Sequence, residues 1–430
     1  MHFIKTMRSL GPRYMALWVG QTVSQLGTYI ALLTVLFLVD SIHEATGTGG
    51  NIDFSITYAL ETAPTLLVGL VGGALLDRWH LRPVMIATDL IRASIFFYLA
   101  ANFGNYGLGT VFAMAFLIGS MTTLFDGAMF AVIPAIVPRE KLTDANSFVV
   151  VSQQVMFAVG PAVAGALAWV SEGPELGLFV NGLTFVISAI SLNWVGRVVH
   201  HRDPSELRSN LVKEAMNGVR YVWATPRLRV STIAAAVPNF VIGFIEATFL
   251  VLAFVVIQVD TELEAGILLG ALGVGGLIGA LAAPAITRRL GLGRTLVYGM
   301  GFAGVGLFAV MFTTYGALAL ALQVGWMIGI SVINIPLATI RQHYAHESML
   351  GRVITASRAI GWATLPIGAL VGGWLGNTEA AYPWVARTFP IVLMGTALWL
   401  YTTIVWSDTF GPGFDRPPAR AAGEARSTEP

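Results

Sequence analysis

Three carboxylates stand inside apolar runs: Glu61 in Tyr58-Ala59-Leu60-Glu61-Thr62-Ala63-Pro64, Asp126 in Thr123-Leu124-Phe125-Asp126-Gly127, and Glu246 in Gly243-Phe244-Ile245-Glu246-Ala247. At the centre of a membrane helix an acid costs about 2.5–3.5 kcal/mol on insertion scales, so one that is kept there is a candidate for function. The chemistry open to it is reversible proton binding. Out of water a carboxyl group favours its neutral form, and an arriving cation favours the charged one. Proton and substrate then compete for one group, which is exchange in its simplest form. The plain alternative is that each acid is satisfied by a hydroxyl, an amide or an arginine and serves packing. Two arginines also fall within apolar runs. Arg92 follows Asp89 by three residues, a spacing that puts both on one helix face and expects a structural pair. Arg358 either pairs with an acid on another helix or binds an anionic group.

The elements that must position these residues are membrane helices. The chain has 430 residues, of which 55% are hydrophobic and only 11% charged, and its mean hydropathy is +0.72. Soluble domains carry about 25% charged residues, so a soluble enzyme is excluded. Disorder is excluded by the same apolar composition. There are no cysteines, which removes disulfides, thiolate metal sites and cysteine nucleophiles, and the net charge of +1 offers no bulk field for nucleic acid. The histidines all fall in polar connections or near the N-terminus, so no histidine metal site within the membrane is expected.

Twelve apolar segments are long enough to span, at about 14–39, 55–76, 84–101, 109–136, 146–170, 177–196, 231–258, 265–286, 295–312, 316–340, 353–375 and 389–406. When sides alternate from an inner N-terminus, Lys and Arg collect on the inner side. Only Arg387 falls on the other, where Asp40, Glu44, Asp53, Glu172, Glu175, Asp260, Glu262, Glu264 and Glu379 lie instead. That bias predicts both termini in the cytoplasm. The long polar insert near 197–229 separates six spans from six. Within it Asp203-Pro204-Ser205-Glu206 reads as a helix start, followed by an amphipathic helix that either lies at the membrane surface or packs as a linker. The halves echo each other: Val159-Gly160-Pro161-Ala162-Val163-Ala164-Gly165 matches Thr364-Leu365-Pro366-Ile367-Gly368-Ala369-Leu370. Two such halves in one orientation are a known transporter architecture. The expected units are 1–196, an N-terminal six-helix bundle; 197–229, a cytoplasmic linker; 230–410, a C-terminal six-helix bundle; and 411–430, a disordered tail.

The loop after span two, Gly72-Gly73-Ala74-Leu75-Leu76-Asp77-Arg78-Trp79-His80-Leu81-Arg82-Pro83, resembles the motif between helices two and three of the major facilitator superfamily. Gly73, Leu75, Asp77, Arg78 and Arg82 fit it, while His80 replaces the usual glycine. Span five carries Gly160, Pro161 and Gly165, similar to the motif associated with exporters of that superfamily. Gln21-Thr22-Val23-Ser24-Gln25-Leu26-Gly27, Asp89-Leu90-Ile91-Arg92, Val137-Pro138-Arg139-Glu140-Lys141-Leu142 and Gly351-Arg352-Val353 resemble the branch of bacterial exporters that includes macrolide-efflux and enterobactin-exporter proteins. Thr28 stands where many of those relatives carry an acid.

The resemblance implies an all-α integral membrane protein with twelve transmembrane helices in two six-helix pseudo-symmetric bundles, the major facilitator fold. It implies that spans one, four, seven and ten line a central cavity. Asp126, Glu246 and Glu61 are then the candidates for proton coupling. Gln21, Gln25, Thr28, Phe125, Gln153, Gln154, Asn239, Phe244, Trp326, Asn334 and Arg358 are candidates for the substrate cavity. Gly73, Asp77, Arg78, Arg82, Asp89 and Arg92 are the expected conformational gate, and Gly160, Pro161 and Gly165 the helix-packing motif. The implied function is a secondary active transporter of the inner (plasma) membrane. It would export a small amphiphilic compound, such as a drug or siderophore, in exchange for protons by alternating access, as a monomer within the lipid bilayer. No cofactor and no nucleic-acid partner is expected, and no nucleotide-binding motif is present. The alternatives are a lipid or lysolipid flippase, an importer of the same fold, or a non-transporting sensor or scaffold. An intramembrane enzyme would need a nucleophile and base or metal ligands within the spans, which hold no histidine or cysteine and leave only carboxylate chemistry.

Overall fold

The computed structural model describes residues 7, 9–66, 79–196, 211–346, 349–378 and 380–406, and the regular structure among them is helical. Helix boundaries follow from glycine, proline and capping side chains. The first helix, α1 (Pro12–Thr46), opens with proline in its first turn and closes at Gly47, whose left-handed φ of 61° returns its N–H to His43 O. Then follow α2 (Asn51–Thr62), α3 (Leu81–Ala101), α4 (Leu108–Ile136), α5 (Leu142–Ser171) and α6 (Glu175–Ser191). After α7 (Leu211–Ala224) come α8 (Pro226–Ala247), α9 (Glu262–Leu290), α10 (Leu292–Val310), α11 (Ala317–Val332), α12 (Asn334–Tyr344), α13 (Leu350–Leu375) and α14 (Tyr382–Leu400).

Helix α9 shows how sequence sets a boundary. Thr261 Oγ1 accepts from the Glu264 N–H at 3.2 Å, and Glu264 Oε2 accepts from the Asp260 N–H at 2.7 Å. Glu262 and Glu264 sit in the first turn and Arg288 and Arg289 in the last, each complementing the helix dipole. The tenth span is broken instead. Pro336 has no N–H for the Val332 carbonyl, and the helix divides between α11 and α12 at Ile333. Span seven is also irregular, passing from α8 through Phe249–Val251 into a π-helical turn, Leu252–Ile257.

Among the described residues eleven helical segments are long and apolar enough to cross a membrane, and α2 opens a further apolar segment whose continuation, 67–78, is not described. Gly73, Asp77 and Arg78 of the loop motif lie in that stretch. The expected helix start at Asp203 and the tail from 411 also lie outside the described residues. Helix α7 falls within the expected linker. It packs Val222 against Leu228, Val353 and Ala356, and exposes Met216 and Trp223.

Within the first six spans, α1 packs against α5 and α6, α3 against α6, and α2 against α4. Within the last six, α8 packs against α13, and α10 against α11 and α14. Two pairs make most of the contact between the sets, α5 with α9 and α2 with α13, and α2 also meets α8. Missing side chains allow both. A Cβ at Gly273 of α9 would lie 2.6 Å from Ala158 Cα of α5, and one at Gly373 of α13 would meet Ser55 of α2. Gly165 and Gly266 face each other in the same seam, with Pro161 beside them, while Gly160 abuts Tyr29 and Ile30 of α1.

Gly273→Ala forces α5 and α9 apart and is expected to cost about 1–3 kcal/mol, as overpacking does. Gly395, with nothing within 4 Å of its hypothetical Cβ, is the control, since Gly395→Ala is expected to hold or raise stability. Thermal unfolding of the purified variants in detergent measures both.

Candidate functional site

The acids are positioned by the seam between α2 and the last six spans. At the start of α2, Asn51 Nδ2 donates to Gly376 O at 2.7 Å, and the Ile52 N–H donates to Asn377 Oδ1 at 3.0 Å. About two turns deeper, Tyr58 OH donates to Glu246 Oε2 at 2.6 Å. Glu246 sits at the last turn of α8, immediately before the irregular stretch that begins at Thr248. Glu61, one turn beyond Tyr58 on α2, lies within electrostatic reach of Glu246. It also borders a small cleft with Val35, Phe96 and Ile118. Two carboxylates from different sets of spans and one phenol thus meet on the face opposite to α7.

A second charged group is sealed inside the first six spans. Arg92 is 1% exposed and Asp89 0%. The Arg92 guanidinium donates to Asp89 Oδ1 at 2.5 Å and to Thr122 Oγ1 at 3.3 Å. It stacks over Phe185 at 4.2 Å and Phe125 at 4.8 Å. Asp126, one residue beyond Phe125 on α4, is within electrostatic reach of both Arg92 and Asp89. These partners all belong to the first six spans, as do those of Arg82, which donates to Leu192 O at 2.9 Å and Asn193 Oδ1 at 2.8 Å.

Tyr29 links the two acidic regions. It stacks on Phe157, stands beside Gln153, and is within electrostatic reach of Asp126 and Glu246. The sequence reading missed it, although Gln21, Gln25 and Tyr29 recur every fourth residue on one face of α1. Gln21 and Gln25 each leave a buried side-chain oxygen without a partner, and the Thr28 hydroxyl turns back to Ser24 O. Gln154 abuts Gly276 of α9.

A cavity of about 220 Å³ lies at the other end, toward α7. It is walled by α8, the α11–α12 break and α13, and its polar lining is Asn239, Asn334, Arg341, Ser357 and Arg358, with Trp362 as its large aromatic. Three cavity candidates, Asn239, Asn334 and Arg358, therefore come together. Asn239 Nδ2 donates to Gly361 O at 2.9 Å, which fixes its amide. Arg341 and Trp362 were not foreseen.

Phe125, Phe244 and Trp326 are placed in packed cores instead. Phe125 lies under Arg92, Phe244 stacks on Phe389 at 3.9 Å, and Trp326 donates its indole N–H to Gln323 Oε1 at 2.6 Å. Their rings satisfy neighbouring helices rather than the cavity wall. None of the three acids lines this cavity. Among the described residues no group of three or more His, Asp or Glu is placed to hold a metal ion.

Comparison with known proteins agrees with this architecture. The sequence profile described as Major Facilitator Superfamily matches residues 17–366. The chain is 26% identical over 368 residues to the multidrug efflux pump Tap of Mycolicibacterium fortuitum, covering 81% of this chain and 86% of that protein. It is 24% identical over 401 residues to macrolide efflux protein A of Streptococcus pyogenes, covering 89% and 93%. The nucleoside transporter NupG superposes with a TM-score of 0.74 at 12% identity, over 91% of this chain and 99% of that one.

The Arg92 cluster predicts a stability effect separable from transport. Arg92→Met leaves Asp89 buried and uncompensated, and is expected to destabilise by about 3–5 kcal/mol. Adding Asp89→Asn is expected to recover most of that loss. Thermal unfolding of the single and double variants checks it.

Proposed function

The chain belongs to the major facilitator superfamily, and we propose that it is a proton-coupled exporter of a small amphiphilic compound of the drug or siderophore kind. Its family makes it a multi-pass membrane transporter of small molecules, not an enzyme. In the proposed reading it works as a monomer in the inner membrane, with both termini and α7 in the cytoplasm. The halves 1–196 and 230–410 rock about the α5–α9 and α2–α13 seams. The efflux activity named for two relatives supports the direction.

The observation that carries the coupling is the hydrogen bond from Tyr58 to Glu246, which ties the two halves on the side away from α7. An ionised Glu246 is the stronger acceptor, because a hydrogen bond to a charged oxygen is roughly twice as strong as a neutral one. After its proton leaves, the bond tightens and holds the outer side shut beside Asn51–Gly376 and Ile52–Asn377. The cytoplasmic cavity then waits for cargo. A proton arriving from outside neutralises Glu246 and weakens the tie. Glu61 sits close enough to disfavour two simultaneous negative charges, so the pair shares its protons. Asp126 reports to the same centre through Tyr29 and Arg92. Cargo and proton therefore act at two places joined by the rocking of the halves, rather than competing for one group.

Proteoliposomes with an imposed pH gradient and a trapped pH dye test this, with norfloxacin as a fluorescent amphiphile. Glu246→Gln is expected to lower gradient-driven norfloxacin movement by at least about tenfold, equivalent to about 1.4 kcal/mol of lost driving interaction. Tyr58→Phe is expected to keep proton binding but leak protons without substrate. Full proton-driven transport in both Glu246→Gln and Asp126→Asn, each folded and inserted, overturns the reading.

A further inference from the structure

The cavity beside α7 carries two guanidinium groups and, among the described residues, no carboxylate. Arg341 comes from α12 and Arg358 from α13, and both border the space with Asn239 and Asn334. Arg358 is exposed, with its guanidinium carbon 5.9 Å from the centre of the Trp362 ring. Arg341 is half-buried and its Nε has no hydrogen-bond partner. The two cations are near enough to repel one another. Charge of one sign inside a membrane bundle is costly unless something answers it. Among the described residues the lining answers it with two amides, the Ser357 hydroxyl and an indole face, and the acids lie elsewhere. Arginine presents a planar fork that matches a carboxylate or phosphate in two parallel hydrogen bonds.

We propose that Arg341 and Arg358 form an anion-recognition site, so that the cargo is an amphiphile bearing a carboxylate or phosphate group, held by the two guanidiniums while its apolar body rests against Trp362 and Ile333. The inference rests on reading this cavity as the transport cavity. It deepens that reading by naming the cargo's charge. It also explains why two cations face one space: each repels the other until an anion arrives between them. Asn239 and Asn334 supply hydrogen bonds to the cargo's neutral polar groups.

The experiment is equilibrium binding to the full chain in neutral phosphatidylcholine nanodiscs, with no gradient. The probes are three matched pairs: 2-naphthylacetate and 2-naphthylacetamide, indole-3-acetate and indole-3-acetamide, salicylate and salicylamide. Each acid is expected to bind at least about tenfold tighter than its amide, with the acid's advantage shrinking as salt rises. Arg358→Gln and Arg341→Gln are each expected to bring the ratio close to one, chiefly by weakening the acid. Arg358→Lys is expected to keep part of the preference. Inorganic phosphate competing with the acids supports a free anion as the natural ligand. Loss of acid binding only when the discs contain phosphatidylglycerol supports a lipid headgroup. Amides binding as tightly as acids, no acid binding by millimolar concentration, or a ratio unmoved by either glutamine variant overturns the proposal. Because binding is read without a gradient, a chain that selects acids but moves no protons keeps this inference and loses the coupling. A chain that pumps while treating acids and amides alike does the reverse.

Discussion

A carboxyl group in a water-free interior must find a partner, and much of this molecule is arranged around where those partners come from. Asp89 finds Arg92 on its own helix, and that pair is walled in by Thr122, Phe125 and Phe185. Glu246 finds Tyr58 on the other half of the molecule. The first arrangement survives any rigid motion of the halves, because all of its members travel together. The second cannot. The same chemical necessity therefore yields a permanent brace in one place and a separable tie in the other. Only the location of the partner distinguishes them.

The seams give that tie its mechanical setting. At α5–α9 the backbones of Ala158 and Gly273 approach without intervening side chains, and at α2–α13 Gly373 meets Ser55. Contacts of this kind gain dispersion from proximity and lack interlocking knobs, so they resist separation more than they resist pivoting. The directional bonds of Asn51, Ile52 and Tyr58 add what packing alone lacks, a preference for one pivoted position. The cavity lies at the far end from those bonds, lined by residues of the last six spans.

The fold was largely legible because membrane spans announce themselves by length and apolarity. The acids were legible because an acid in an apolar run is conspicuous. What sequence hides is which face of a helix meets which neighbour. Phe244 and Trp326 look like cavity aromatics by span number, yet the stacking of Phe389 and the approach of Gly306 draw them into the core. Arg341 reads in one dimension as an ordinary charge at the cytoplasmic end of a span. Only the turn imposed after Ile333 brings it to face Arg358. Tyr29 was hidden for a simpler reason, since a tyrosine in a span attracts no notice until two carboxylates are found near it.

Each wall of the cavity also carries a proline: Pro238 in α8, Pro336 in α12 and Pro366 in α13. Each deletes one rung of its helix's hydrogen-bond ladder and makes that level easier to bend. Three compliant joints thus encircle a single chamber, two of its walls bearing the cations. If the proposed cargo binds here, flexing of the chamber's staves adjusts to guests of unequal girth while the polar lining stays in register, so tolerance of shape and strictness about charge fall to different parts of the same enclosure.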